Sequence, residues 1–211
     1  MENYAKLAES VIAGNEEQVK NQVREFIASG NAPVDIINQG LIAGMNVVGQ
    51  RFKVGDMYVP EVLMCARSMN AGLEIVRPLL ADSDAESSCK IIIGTVKGDL
   101  HDIGKNLVSM MMESGGLEVI DLGVDVSADD FIAAIEKHKP DILAMSALLT
   151  TTMPKMKEVI QALEEMGLRD KIKIIIGGAP VSQAFAQTIG ADGYAPDAAS
   201  ATELCKSLFA Q

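Results

Sequence analysis

From Lys90 onward the chain repeats one pattern, and that repeat limits its possible folds more than any other feature. Short apolar runs rich in isoleucine and valine, Lys90–Val96, Glu118–Leu122, Asp141–Ser146 and Lys173–Ile176, alternate with helix-length segments, and Gly193-Tyr194-Ala195 offers a short fifth run. Continuous apolar runs of this length read as strands covered on both faces, because a half-solvated strand would alternate apolar with polar. A strand, a helix and a further strand in succession favour parallel pairing. The order βαβαβαβαβα therefore predicts an α/β domain over residues 90–211, a Rossmann-like (flavodoxin-like) parallel sheet with helices on both sides. Helix starts agree: Ser127 stands three residues before Asp130, and Asp197 opens the last helix.

The first part of the chain has a different rhythm. One helical segment runs from Glu2 to Ala13 and stops at Gly14-Asn15, and a second runs from Glu16 to Ser29 and stops at Gly30. A third begins near Pro33 and carries Ile37, Leu41, Gly44, Val48 and Phe52 on one stripe. After Gly55-Asp56-Met57-Tyr58, Pro60 sits where a first-turn proline is tolerated, and a fourth segment runs to about Leu80. Four helices with short connections predict a four-helix bundle over residues 1–81. The stretch from Ala81 to Ser88 is acidic and serine-rich with almost nothing to bury, which places a solvated linker at 82–89.

Composition narrows the function by exclusion. A formal net charge of -11 argues against a nucleic-acid or anionic-membrane partner. Cys65, Cys89 and Cys205 are odd in number and far apart, and only His101 and His138 are available beside them, so neither a disulfide framework nor a zinc cluster is indicated. His138, near a helix end beside Lys139-Pro140, reads as a solvated C-terminal histidine. Met1-Glu2-Asn3-Tyr4 carries no signal-peptide pattern, and no apolar run approaches the ~20 residues of a membrane span, so the chain reads as cytoplasmic.

In open parallel sheets ligands bind beyond the carboxyl ends of the strands, and here those positions hold the unusual residues. The first strand is followed by Gly98-Asp99-Leu100-His101-Asp102-Ile103-Gly104-Lys105-Asn106, the third ends in Ser146-Ala147-Leu148-Leu149-Thr150-Thr151-Thr152, the fourth is followed by Gly177-Gly178-Ala179-Pro180, and the fifth gives Tyr194-Ala195-Pro196-Asp197. One edge thus gathers a histidine, hydroxyls and glycines. A phosphate loop does not fit: Gly98 and Gly104 stand one residue too far apart, and Lys105 is followed by Asn106 rather than Ser or Thr. No Gly-x-Gly-x-x-Gly fingerprint occurs either, which disfavours dinucleotide binding.

Asp99-x-His101-x-x-Gly104, with Ser146-x-Leu148 and Gly177-Gly178 in the matching loops, resembles the signature of cobalamin-binding domains. The whole chain is similar to the corrinoid proteins of methyltransferase systems. Residues 90–211 resemble the cobalamin-binding part of methionine synthase, and the helices around Phe52, Gly55, Tyr58 and Pro60-Glu61 resemble its helical cap. The resemblance implies a cobalamin or related corrinoid, with His101 as cobalt ligand in place of the cofactor's own base. It makes Asp99 the acceptor that orients His101 and Thr152 the hydroxyl that extends the relay, where the family relative carries serine. Gly98, Asp102, Ile103, Gly104, Ser146, Leu148, Thr150, Gly177, Gly178, Tyr194 and Ala195 would line the cofactor or its displaced tail. In the cap, Met45, Met57, Met64 and Met69 are candidates to touch the corrin face.

The activity implied is that of a methyl carrier, not an enzyme with its own substrate site: cobalt(I) accepts a methyl group, and methylcobalamin yields it to a second acceptor. The implied partners are a substrate:corrinoid methyltransferase, a methylcorrinoid:tetrahydrofolate or coenzyme M methyltransferase, and a corrinoid reductive activase. Two alternatives share the domain, a cobalamin-dependent sensor or regulator and the cobalamin-binding subunit of a radical mutase. The sensors usually add a DNA-binding domain and a tryptophan-containing cap; this chain has no tryptophan and no basic helix.

Overall fold

Every apolar run read as a strand is a strand in the computed structural model, which describes residues 4–79 and 89–210. These are β1 (Lys90–Thr95), β2 (Glu118–Asp121), β3 (Ile142–Ser146), β4 (Lys173–Gly177) and β5 (Gly193–Tyr194), all parallel, in the order β2-β1-β3-β4-β5. Val96 does not extend β1 but makes a single bridge to Val126.

The register explains the isoleucine runs. Ile92 stands beside Leu143, and Leu143 beside Ile174. These three face a core shared with Phe131 and Ile135 of α7 (Ala128–His138), Met156, Ile160 and Leu163 of α8 (Met153–Glu165), and Ile189 of α9 (Gln183–Ile189). The alternate residues Ile91, Ile93, Ile142 and Ile175 face the other way, onto Met112 of α6 (Ile103–Ser114) and Cys205 of α10 (Ala198–Phe209). Both faces are apolar because both are covered. Side-chain caps hold the helix starts: Ser127 and Asp130 form a reciprocal box, and Asp197 accepts from the Ser200 amide at 2.8 Å. Each cap contributes about 1 kcal/mol.

The helical unit is built from α1 (Ala5–Ile12), α2 (Glu16–Ala28), α3 (Pro33–Asp35), α4 (Ala43–Lys53) and α5 (Val59–Val76), with a 3-10 turn at Arg77–Leu79. Asn15 caps α2 by accepting from the Gln18 amide at 3.1 Å, and Glu61 turns back to accept from the Tyr58 amide at 2.8 Å. The expected third helix is present, but its first half differs from expectation. Ile36–Ile42 is a π-helical segment joining α3 to α4. The wider turn buries Ile36, Gly40 and Leu41, whereas Ile37 of the expected stripe is only half-buried. Of the four methionines considered for a ligand face, Met45, Met57 and Met69 are buried and only Met64 is exposed, because the first three fill the core of the unit.

By contact the described residues fall into two compact units, one holding 4–79 and 114–116 and the other holding 89–113 and 117–210. The start of the first expected helix and the end of the fourth lie outside the described residues, as does the expected linker except for Cys89. That cysteine is buried in the α/β core, and burial pushes its thiol up to about 12. No described helix is long and apolar enough to cross a membrane.

Candidate functional site

The sheet order reverses beside β1, which has β2 on one side and β3 on the other. The loops after β1 and β3 therefore leave the same edge side by side, at the switch point where parallel sheets open a crevice. Asp99 lies in the first loop and is fully buried. One carboxylate oxygen, Oδ1, accepts from the His101 ring Nδ1 at 2.7 Å and from the His101 amide at 3.1 Å. The other, Oδ2, accepts from the Leu148 amide at 2.7 Å, the Leu149 amide at 3.2 Å and the Thr152 hydroxyl at 2.7 Å.

Burial alone would push the Asp99 carboxyl up, but the bonds from Leu148, His101 and Thr152 outweigh it and hold the group well below the usual carboxylate range. An ionised carboxylate only accepts. Nδ1 must then carry the hydrogen of that contact, so that Nε2 is the ring nitrogen left to offer a lone pair to a metal. The ring is 52% exposed. Asp99 thus presents a histidine nitrogen in the tautomer a metal requires.

Thr152 closes the relay from the first turn of the segment before α8. Its hydroxyl hydrogen has a second acceptor within reach, the Leu149 carbonyl at 2.9 Å. Thr152 occupies the N-cap position of α8, but its side chain caps nothing there, since the hydroxyl is turned to Asp99.

The other expected residues share this edge with different surroundings. Gly98 turns with φ +82. The Asp102 carboxylate accepts from the Asn106 side chain at 3.2 Å, and Ile103 begins α6 with 84% of its surface exposed. A Cβ on Gly104 would meet nothing within 4 Å. Ser146, half-buried, ends β3 between Thr95 and Gly177, and Thr150 is exposed.

The glycine pair at the end of β4 is also crowded by the chain itself. A Cβ on Gly178 would lie 1.9 Å from the Ala147 carbonyl oxygen, and one on Gly177 would lie 3.1 Å from that of Ala195. The chain's own backbone already fills the space. Tyr194 packs half-buried against one core, and the Ala195 side chain is buried in the other, so Ala195 has only backbone to offer a ligand.

Four large apolar side chains stand in the open in the two loops around His101: Leu100, Ile103, Leu148 and Leu149. Leu100 and Leu149 had no signal in the sequence beyond being apolar residues in polar loops. Exposed apolar groups clustered about a metal-competent nitrogen fit a broad apolar ring carrying a metal at its centre. The open space at Gly104 agrees with that fit. The residues present suit a corrinoid.

A B12 binding domain family model matches residues 89–203, and a second B12 binding domain model matches residues 4–77. The chain belongs to the corrinoid protein family. It is 43% identical over 207 residues to a corrinoid protein of Desulfitobacterium hafniense, covering 97% of this chain and 96% of that one. It is 46% identical to dimethylamine corrinoid protein 1 of Methanosarcina acetivorans over 179 residues, 84% of each chain. Among solved structures, the methanol:cobalamin methyltransferase complex of Methanosarcina barkeri includes a chain matched with a TM-score of 0.83 at 35% identity, covering 97% of this chain and 78% of that chain. The corrinoid protein described here therefore shares both parts of its chain with the family, and a B12-type corrinoid is its cofactor.

Proposed function

We propose that this corrinoid protein is the methyl carrier of a multi-component methyltransferase system. A bound corrinoid supplies a cobalt centre able to take a methyl group from one partner and release it to another. The protein supplies position and tuning. His101 would hold the cobalt through Nε2, Asp99 holds the ring and its tautomer, and Thr152 gives Asp99 a donor that can turn to the Leu149 carbonyl when a proton shifts. Gly98, Asp102, Ile103, Gly104 and Leu148, from the same two loops, would line the cofactor around that ligand. Ser146, Thr150, Gly177, Gly178, Tyr194 and Ala195 lie along the neighbouring strand ends, where the cofactor's tail would run.

The observation carrying this reading is the His101 ring, its Nδ1 held 2.7 Å from the fully buried Asp99 carboxylate. Relatives named for dimethylamine and trimethylamine support a methylamine as donor class. The partners would be a substrate:corrinoid methyltransferase, a second methyltransferase using tetrahydrofolate or coenzyme M, and a reductive activase.

Reconstitution with cobinamide, a corrinoid without its own base, tests the ligand. Cobalt(II) electron paramagnetic resonance should show coupling to one nitrogen in the wild type and none in His101→Ala. Identical spectra from the two would remove His101 from the site. Incubating the reduced holoprotein with a methylamine methyltransferase and labelled dimethylamine or trimethylamine then tests the carrier role. Label that never reaches the corrinoid protein with any such enzyme would reject the methylamine assignment.

A further inference from the structure

The loop carrying His101 is held from outside by two residues that neither touch the ring nor belong to the Asp99–Thr152 relay. Thr95 is the last residue of β1 and is fully buried, a hydroxyl at the end of a strand otherwise made of isoleucines and glycine after Lys90. That hydroxyl donates to the His101 carbonyl at 2.9 Å. Asp125 comes from the loop after β2. Its carboxylate accepts from the Gly98 amide at 2.7 Å, and its own amide donates to the Asp99 carbonyl at 3.0 Å.

To make both contacts Asp125 adopts φ +56. Among the described residues only Lys139, an ordinary helix C-cap, shares a positive φ without being glycine. Left-handed backbone in a residue with a side chain costs roughly 1 kcal/mol or more, although aspartate tolerates it better than most. Here that cost falls on the loop that clasps the histidine segment. Lys97 sits 3.2 Å from the Asp125 carboxylate and helps keep it in place.

We infer that Thr95 and Asp125 are positioning residues for His101, fixing the backbone from Gly98 to His101 so that the imidazole would meet the corrinoid already ordered. This rests on the reading of His101 as cobalt ligand. With the Asp99 bonds to the His101 amide and ring, the segment is pinned at Gly98 N, Asp99 O, His101 N and His101 O. A segment pinned at four backbone atoms loses little further freedom on binding, and binding therefore pays less in ordering entropy.

The test uses the full chain and cobinamide, comparing dissociation constant and the nitrogen-coupled fraction of the cobalt(II) resonance. Thr95→Val keeps the shape but removes the donor. Asp125→Gly removes the carboxylate while accepting φ +56 without strain. Each should weaken cobinamide binding about fivefold, the worth of one net hydrogen bond, and lower the nitrogen-coupled fraction. Thr95→Ser, which retains the hydroxyl, should return both quantities to within about twofold of wild type.

Should Thr95→Val fail to fold, Asp125→Gly decides the matter, because that side chain is partly exposed and outside the core. Wild-type affinity and coupling in Asp125→Gly, or a Thr95→Ser variant as impaired as Thr95→Val, would overturn the inference. His101→Ala is run alongside. If nitrogen coupling survives in that variant, the ligand assignment has failed, and the result is distinguishable from failure of the clamp alone.

Discussion

The helical unit and the α/β unit bury different kinds of residue. Within residues 4–79, Ser10 and Ser68 are the buried polar side chains described, and each hydroxyl donates to a nearby helix carbonyl. The α/β unit buries Thr95, Asp99, Lys105 and Thr152 close to one edge of its sheet. Lys105 pairs with Asp121 and donates to Asn106 at 2.7 Å, while Asp99 collects its five donors. A buried charge is costly unless fully partnered. The expense is concentrated where the chemistry is, and among the described residues of the helical unit no charged side chain is buried. One unit is organised by packing, the other by packing plus a network that tolerates little substitution.

The sharpest way to break this contrast is Asp99→Asn. Every partner of Asp99 donates, so an amide nitrogen faces donors whichever way it turns. The expected loss is about 3 kcal/mol of unfolding free energy, against about 1 kcal/mol for Ser68→Ala. Denaturant titration followed by circular dichroism measures both, and equal losses would erase the distinction drawn between the units.

Gly178→Ala should follow, at about 2–3 kcal/mol, because φ +125 and the Ala147 carbonyl both exclude a side chain. Gly55→Ala, at φ +78 but in open space, should cost about 1 kcal/mol. A melting-temperature comparison separates these, and the contrast weakens if the two variants melt together.

Acid should also divide the units. Asp99, Asp125 and Asp130 are all held below the ordinary carboxylate value, each by hydrogen bonds to its carboxylate, although burial opposes this for Asp99. A lowered folded value adds stability that is complete above the unfolded value of about 4. It is lost as pH falls through the folded value. Glu16 is the one group lowered in this way among the described residues of the helical unit. Hydrogen exchange should therefore show amides of the α/β unit opening first below about pH 4. Earlier opening of the helical unit would reverse the assignment of the fragile carboxylates.

The smallest effects belong to the helical surface. Met64→Ala removes an exposed side chain and should change stability by less than about 0.5 kcal/mol. Residues 89–211 produced alone should keep their helix and strand content and their cobinamide coupling. Loss of either would show that the two units depend on each other for more than linkage.

Strands, caps and the histidine pattern are legible in the sequence because each is written within a few consecutive residues. Isoleucine runs mark strands covered on both faces, Ser127 and Asp197 mark helix starts, and Asp99 stands two residues from His101. The glycine pair is legible as special, but the sequence does not show the carbonyls that crowd it, that of Ala147 at Gly178 and that of Ala195 at Gly177. The methionines give no hint of which three fill a core, and the π segment at Ile36–Ile42 leaves no mark in a pattern read at helical period.

Composition and local pattern are thus enough to place a parallel sheet and its ligand edge, since these follow from periodicity, while the pairing of His101 with Asp99 was implied by the resemblance to cobalamin-binding domains. Only tertiary structure could bring Leu148, Leu149 and Thr152 onto Asp99, or Asp125 onto Gly98. Those contacts span 27 to 53 residues and depend on the sheet order that sets β2 and β3 on either side of β1. Strand order is decided by how whole layers pack, and no single window of residues encodes it.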